Sequence, residues 1–95
     1  MSTLERIQDW YQSQCDGDWE HSFGMKIGTL DNPGWTVTID LADTALEHKP
    51  YAGDYYELSE HDWMSCRVEA RQFRAAGGPA KLEEMLKVFL RWRDE

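Results

Sequence analysis

Met25-Lys26-Ile27-Gly28-Thr29-Leu30-Asp31-Asn32-Pro33-Gly34-Trp35-Thr36-Val37-Thr38-Ile39-Asp40-Leu41 decides the fold. Phe23, Met25 and Ile27 alternate with Ser22, Gly24 and Lys26 across residues 20–30. Trp35, Val37, Ile39 and Leu41 alternate with Thr36, Thr38 and Asp40 across residues 35–41. Alternation with period two is the mark of a strand with one buried face. Asp31-Asn32-Pro33-Gly34 between the runs is turn chemistry, so the stretch reads as an antiparallel hairpin. Register follows from parity. A two-residue loop sets Ile27 opposite Asp40 and mixes core with solvent. A three-residue loop, Asn32-Pro33-Gly34, pairs Ile27 with Ile39, Met25 with Leu41 and Lys26 with Asp40, and keeps both apolar sets on one face. It also places Gly34 at a left-handed position.

On the N-terminal side, Ser2 and Glu5 have capping-box spacing. Leu4, Ile7, Trp10, Tyr11 and Gln14 then follow a helical stripe that Gly17 ends. On the C-terminal side, residues 42–53 form a long polar connection. Tyr55-Tyr56-Glu57-Leu58 reads as a short third strand, Glu60-His61-Asp62 as a turn and residues 63–73 as a fourth strand. Met64, Cys66, Val68 and Ala70 share its inner face, and Phe73 breaks the parity. Gly77-Gly78-Pro79 opens a last helix, with proline at its first position. Leu82, Met85, Leu86, Phe89 and Leu90 form its core stripe. Trp10, Trp63 and Trp92 are expected in the core. The predicted fold is α+β: a four-stranded antiparallel sheet with an N-terminal and a C-terminal helix packed on one face.

Ninety-five residues make one domain, 1–95, that buries about 60–70% of its unfolded surface. With 41% hydrophobic residues and five Trp, a packed core is expected. No apolar run suits a membrane span and the N-terminus has no signal-peptide anatomy. Two cysteines are too few for a disulfide scaffold, so both read as reduced thiols of a cytoplasmic protein. The net charge of −8 divides into −10 over residues 1–62 and +2 over 63–95. Such a field disfavours nucleic acid and anionic membrane and attracts a basic partner, although solubility alone also explains it.

Cys15-Asp16-Gly17-Asp18-Trp19-Glu20-His21 is the densest polar cluster. A nucleophilic Cys15 needs cations or a helix N-terminus to lower its pKa; here it follows a helix and precedes three acids. His21, six residues on, does not by itself make a dyad. Asp16, Asp18 and Glu20 fit positions 1, 3 and 5 of a calcium loop, but His21 stands where Gly is needed and Ile27 where Glu is needed. His48 and His61 lack zinc-ligand spacing with the cluster. Asp18 and Glu20 resemble an acid/base pair, yet no phosphate loop or nucleophile motif accompanies them. No catalytic residue, metal site or cofactor is therefore expected. A protein-binding surface remains, in which acids steer encounter and an exposed indole supplies contact energy.

Trp10-Tyr11, Cys15 through His21, Thr29 through Trp35, Asp40-Leu41, and Gly77-Gly78-Pro79 ahead of Leu82, Phe89 and Trp92 together resemble the immunity protein 53 family, from about Leu4 to Trp92. The resemblance implies a cytoplasmic antidote of a bacterial polymorphic-toxin system that binds its cognate toxin. It brings no established catalytic residues. Some relatives carry a sulfurtransferase label; the acidic loop and short chain argue against that activity here. The expected toxin contact is Asp16, Asp18, Glu20 and Asp31 for charge, Trp19 for apolar contact, and His21 and Trp35 beside them. A nuclease target would offer a basic groove. In an alternative arrangement Asp16, Asp18 and His21 lock the loop from within, and the interface lies on the acidic, Tyr-rich residues 42–62. Two other classes stay open: a small enzyme using Cys15, and a small-ligand or metal-binding regulator. Oligomeric state is not legible.

Overall fold

A computed structural model describes residues 1–95. The elements are α1 (Thr3–Gln14), α2 (Trp19–Ser22), β1 (Met25–Leu30), β2 (Gly34–Asp40), β3 (Asp54–Glu57), β4 (Trp63–Glu69), β5 (Gln72–Gly77) and α3 (Leu82–Asp94). All strand pairs are antiparallel, in the order β1-β2-β5-β4-β3. The α+β class holds, but the sheet has five strands rather than four. Residues 63–73 are not one strand. They fold back at Ala70 and Arg71, which take φ of 53° and 59°, and Val68 then faces Phe73. This two-residue turn explains the parity break at Phe73.

The first hairpin has the expected three-residue loop and faces, but its register is shifted by two residues. Met25 pairs with Ile39 and Ile27 with Val37, and the loop is Asp31-Asn32-Pro33, with a cis Asn32–Pro33 peptide. Lys26 meets Thr38, not Asp40. Gly34 is not left-handed. It lies in β2, where a Cβ would collide with the Gly77 carbonyl oxygen, so close strand approach demands glycine. The strand expected from residue 20 begins only at Met25, because 19–22 form a helical turn. Pro79 precedes α3 by several residues instead of opening it, and Lys81 is the N-cap.

Ser2 and Glu5 make the full capping box of α1, with bonds of 3.1 and 3.0 Å. Helix α3 lies across β2, β5 and β4, and α1 packs on α3. The core between them centres on Val37, Ile39, Leu41, Phe73, Met85, Phe89 and Leu90, all fully buried. Each large side chain contributes about 1.5–3 kcal/mol by leaving water. Trp10 and Trp92 join this core, whereas Trp63 is only half-buried and Leu4 is exposed. Three indoles also tie connections to the core. The Nε1–H groups of Trp19, Trp92 and Trp35 donate to the carbonyls of Ala42, Pro50 and Pro79, each at 2.9 Å.

Candidate functional site

The Cys15–His21 stretch is a knot between α1 and α2. The backbone turns at Gly17, whose φ is +91°. Asp16 Oδ1 accepts from the N–H groups of Asp18 (3.0 Å) and Trp19 (2.9 Å) at the start of α2. Glu20 reaches back: Oε1 accepts from the N–H groups of Asp16 (3.0 Å) and Gly17 (3.1 Å), and Oε2 from Gly17 (2.9 Å). The Trp19 and Asp18 N–H groups hold the Asp16 carboxyl below its usual pKa. The backbone N–H groups of Glu20 itself, Gly17 and Asp16 do the same for Glu20.

Trp19 is the correction. It was expected as an exposed contact, but it is 5% exposed. Its ring sits edge-on to Trp10 at 6.2 Å and beside Phe23 at 6.1 Å. Four residues of helix after a left-handed glycine turn the indole inward, where its N–H finds the Ala42 carbonyl. The alternative arrangement is met in part. Asp16 bonds loop backbone, and Glu20 plays the role imagined for Asp18. Asp18 and His21 are exposed, without side-chain hydrogen bonds. Asp31 is exposed in the β1–β2 turn, at the far end of β1, and Trp35 is half-buried. The structure thus gathers Asp16 through His21 and leaves Asp31 and Trp35 apart from them.

The Cys15 thiol donates to the Tyr11 carbonyl at 3.3 Å. Cys66 lies in β4, 2% exposed, and burial pushes its thiol up to about 12. At neutral pH it is protonated and behaves as a small apolar group. Nowhere do three His, Cys, Asp or Glu side chains come together to hold a metal ion.

A second acidic segment is arranged oppositely. Asp54, Tyr55, Glu57, Leu58 and Glu60 line edge strand β3 and the turn after it, and all are exposed, Tyr55 by 70% and Leu58 by 76%. Asp54 accepts only the Tyr51 hydroxyl (2.6 Å) and Glu57 only the Tyr55 hydroxyl (3.0 Å). None of the three acids forms an ion pair. The segment is anchored from below: Lys81 Nζ stands 3.0 Å from Asp62 and over the Tyr56 ring.

The family described as immunity protein 53 matches residues 4–94, nearly the whole chain. The chain belongs to the immunity protein 53 family. The match spans the loop knot, the sheet and α3. Membership of an immunity protein family carries a toxin-neutralising role. No curated protein and no solved structure matches the chain. No helix of this immunity protein 53 member is long and apolar enough to cross a membrane.

Proposed function

We propose that this protein is a non-enzymatic immunity protein that binds a cognate bacterial toxin and occludes it through the acidic edge Asp54–Glu60. The observation that carries the reading is the exposure of Tyr55 and Leu58 among three acids that no cation neutralises. An aromatic and an aliphatic anchor ringed by charge is the composition of an interaction hot spot, with the acids raising the encounter rate. Asp18, His21 and Asp31 present free side chains as well, but they flank β1, the opposite edge of the sheet, and form no part of this surface. Asp16, Glu20 and Trp19 hold the loop. If the toxin is a nuclease, its basic substrate groove is the complementary surface.

The test is co-expression with the toxin encoded beside this chain. The parent chain should co-purify with the toxin and rescue growth. Tyr55→Ala with Leu58→Ala should lose rescue and weaken binding at least tenfold while remaining folded by circular dichroism. Folded, fully protective double variants would overturn the assignment of this edge. Failure of the parent chain to bind the toxin would overturn the function.

A further inference from the structure

The C-terminus of α3 is completed from outside the helix. The last four C=O groups of a helix have no partner within it, and the helix dipole makes that end partly negative. Arg93, in the last turn, turns its guanidinium to the Asp94 carboxylate, with contacts of 3.0 and 2.9 Å. The cation that serves the carbonyls comes from the connection between β2 and β3. Lys49 Nζ donates to the carbonyls of Trp92 (2.7 Å), Arg93 (3.4 Å) and Glu95, and stands 5.8 Å from the centre of the Trp92 ring. Lys49 pairs with no carboxylate side chain, although the chain holds 18 acids. Its ammonium is committed to the helix end.

The next two residues continue the grip. The Pro50 carbonyl accepts Trp92 Nε1–H at 2.9 Å. The Tyr51 ring lies 5.3 Å from the Trp92 ring and 5.9 Å from Phe73. Three successive residues thus meet one indole through an ammonium, a carbonyl and a ring. Tyr51 also reaches the other way. Its hydroxyl donates to Asp54 Oδ2 at 2.6 Å, and Asp54 is the first residue of β3. Burial, with the Asp54 carboxylate beside it, pushes the Tyr51 hydroxyl above its usual pKa, so it stays a donor at neutral pH. Strand β3 depends on such ties. It has four residues and one neighbour, β4, and lies beyond the strands β2, β5 and β4 on which α3 packs. Lys81, over Tyr56 and beside Asp62, holds its far end, and Tyr51 holds its near end.

We propose that Lys49-Pro50-Tyr51 is a coupling clamp that links order at the C-terminus of α3 to order in edge β3, so that a partner engaged at β3 also tightens the last turn of α3. The partner's part rests on the reading that β3 is the toxin contact; the link between the two elements does not. Whatever orders the clamp from one end lowers the cost of ordering the other, and such coupling is reciprocal.

Amide hydrogen exchange on the full chain, read by NMR, tests the clamp without a partner. Three amides report. Tyr56 faces β4, in phase with the Leu58 N–H bond to the Asp62 carbonyl (2.8 Å); Arg93 lies in the last turn of α3; and Ile39 lies in the centre of the sheet. Lys49→Met should speed exchange at both Tyr56 and Arg93 about tenfold or more relative to Ile39. Lys49→Arg, which keeps a cationic donor, should restore most of that protection. Tyr51→Phe keeps the ring and loses the hydroxyl, and should speed Tyr56 more than Arg93. Adding Lys49→Met to Tyr51→Phe should then speed Arg93 and leave Tyr56 where it was, because the link is already cut. An unchanged Tyr56 amide in Lys49→Met, equal acceleration of all three amides, or additive effects at Tyr56 would each overturn the clamp. Should Lys49→Met fail to fold, an unchanged Tyr56 amide in Tyr51→Phe overturns it alone. Toxin added to the parent chain should slow Arg93 exchange, and should not do so in Tyr51→Phe. Toxin bound at β3 without that slowing overturns the partner's part. Absence of toxin binding overturns the toxin reading instead, and the exchange rates of the free chain still decide the clamp.

Discussion

Two segments of this protein have nearly the same composition and opposite uses. Residues 16–20 hold three acids and a tryptophan, and 54–60 hold three acids, two tyrosines and a leucine. In the first, two carboxylates fold onto backbone N–H groups and the indole is buried against Trp10 and Phe23. In the second, the acids find only tyrosine hydroxyls, and Tyr55 and Leu58 face solvent. Backbone shape makes the difference. A left-handed glycine followed by a helical turn presents several N–H groups to one point, and carboxylates close on them. An extended edge strand offers no such concentration of donors, so its acids stay outward.

The largest effect that sharpens this contrast is expected at Trp19. Trp19→Ala removes a buried indole and leaves the Ala42 carbonyl unpaired, and should cost about 3–5 kcal/mol in urea unfolding. A loss comparable with that of a surface substitution would show that the loop is not part of the core. Gly17→Ala comes next. Nothing lies within 4 Å of the added Cβ, so the cost is the left-handed backbone alone, about 1–2 kcal/mol. Full stability in that variant would break the argument that backbone shape sets the loop's role.

How much of this was legible varies with the distance over which each feature is set. Strand alternation and the α3 stripe are local, so the faces of β1 and β2 and the core of α3 could be read. A two-residue slip leaves every face unchanged, so alternation could not choose between pairing Ile27 with Ile39 or with Val37. The close approach of Gly34 to Gly77 belongs to the observed register, and these residues are far apart in sequence. The β4–β5 turn was hidden because Ala70 and Arg71 occupy positions that usually show Asn or Gly. Trp19 was misplaced because a four-residue helix is too short to show a period. Its burial depends on Trp10, Phe23 and Ala42 meeting from separate elements. The exposure of 54–60 follows from β3 being an edge, which only the full strand order reveals.

Acid titration distinguishes the two segments with a smaller effect. Asp16 and Glu20 have folded pKa values below 3.8 and 4.5, their ordinary values. Groups with depressed folded pKa stabilise fully above the unfolded value and lose that contribution as pH falls through the folded one. The loop should therefore be at full strength at neutral pH and weaken below about pH 4.5. Asp16→Asn with Glu20→Gln should lower the neutral-pH melting temperature by less than Trp19→Ala does. It should also flatten the acid side of the stability curve. An unchanged acid limb would mean that these carboxylates are not coupled to folding.

The smallest effect on stability is expected where the largest effect on binding is proposed. Tyr55 and Leu58 bury little, so Tyr55→Ala and Leu58→Ala should each change folding free energy by no more than about 0.5 kcal/mol. Glu57→Lys should be equally silent in urea unfolding, and it should slow toxin association and reverse the effect of added salt at that position. A residue that natural selection keeps for folding shows itself in the unfolding curve, as Trp19 should. A residue kept for a partner is invisible there and shows only when the partner is added. If Tyr55→Ala instead unfolds the protein as readily as Trp19→Ala, the outward segment is structural after all, and the distinction between inward and outward acids fails at its simpler end.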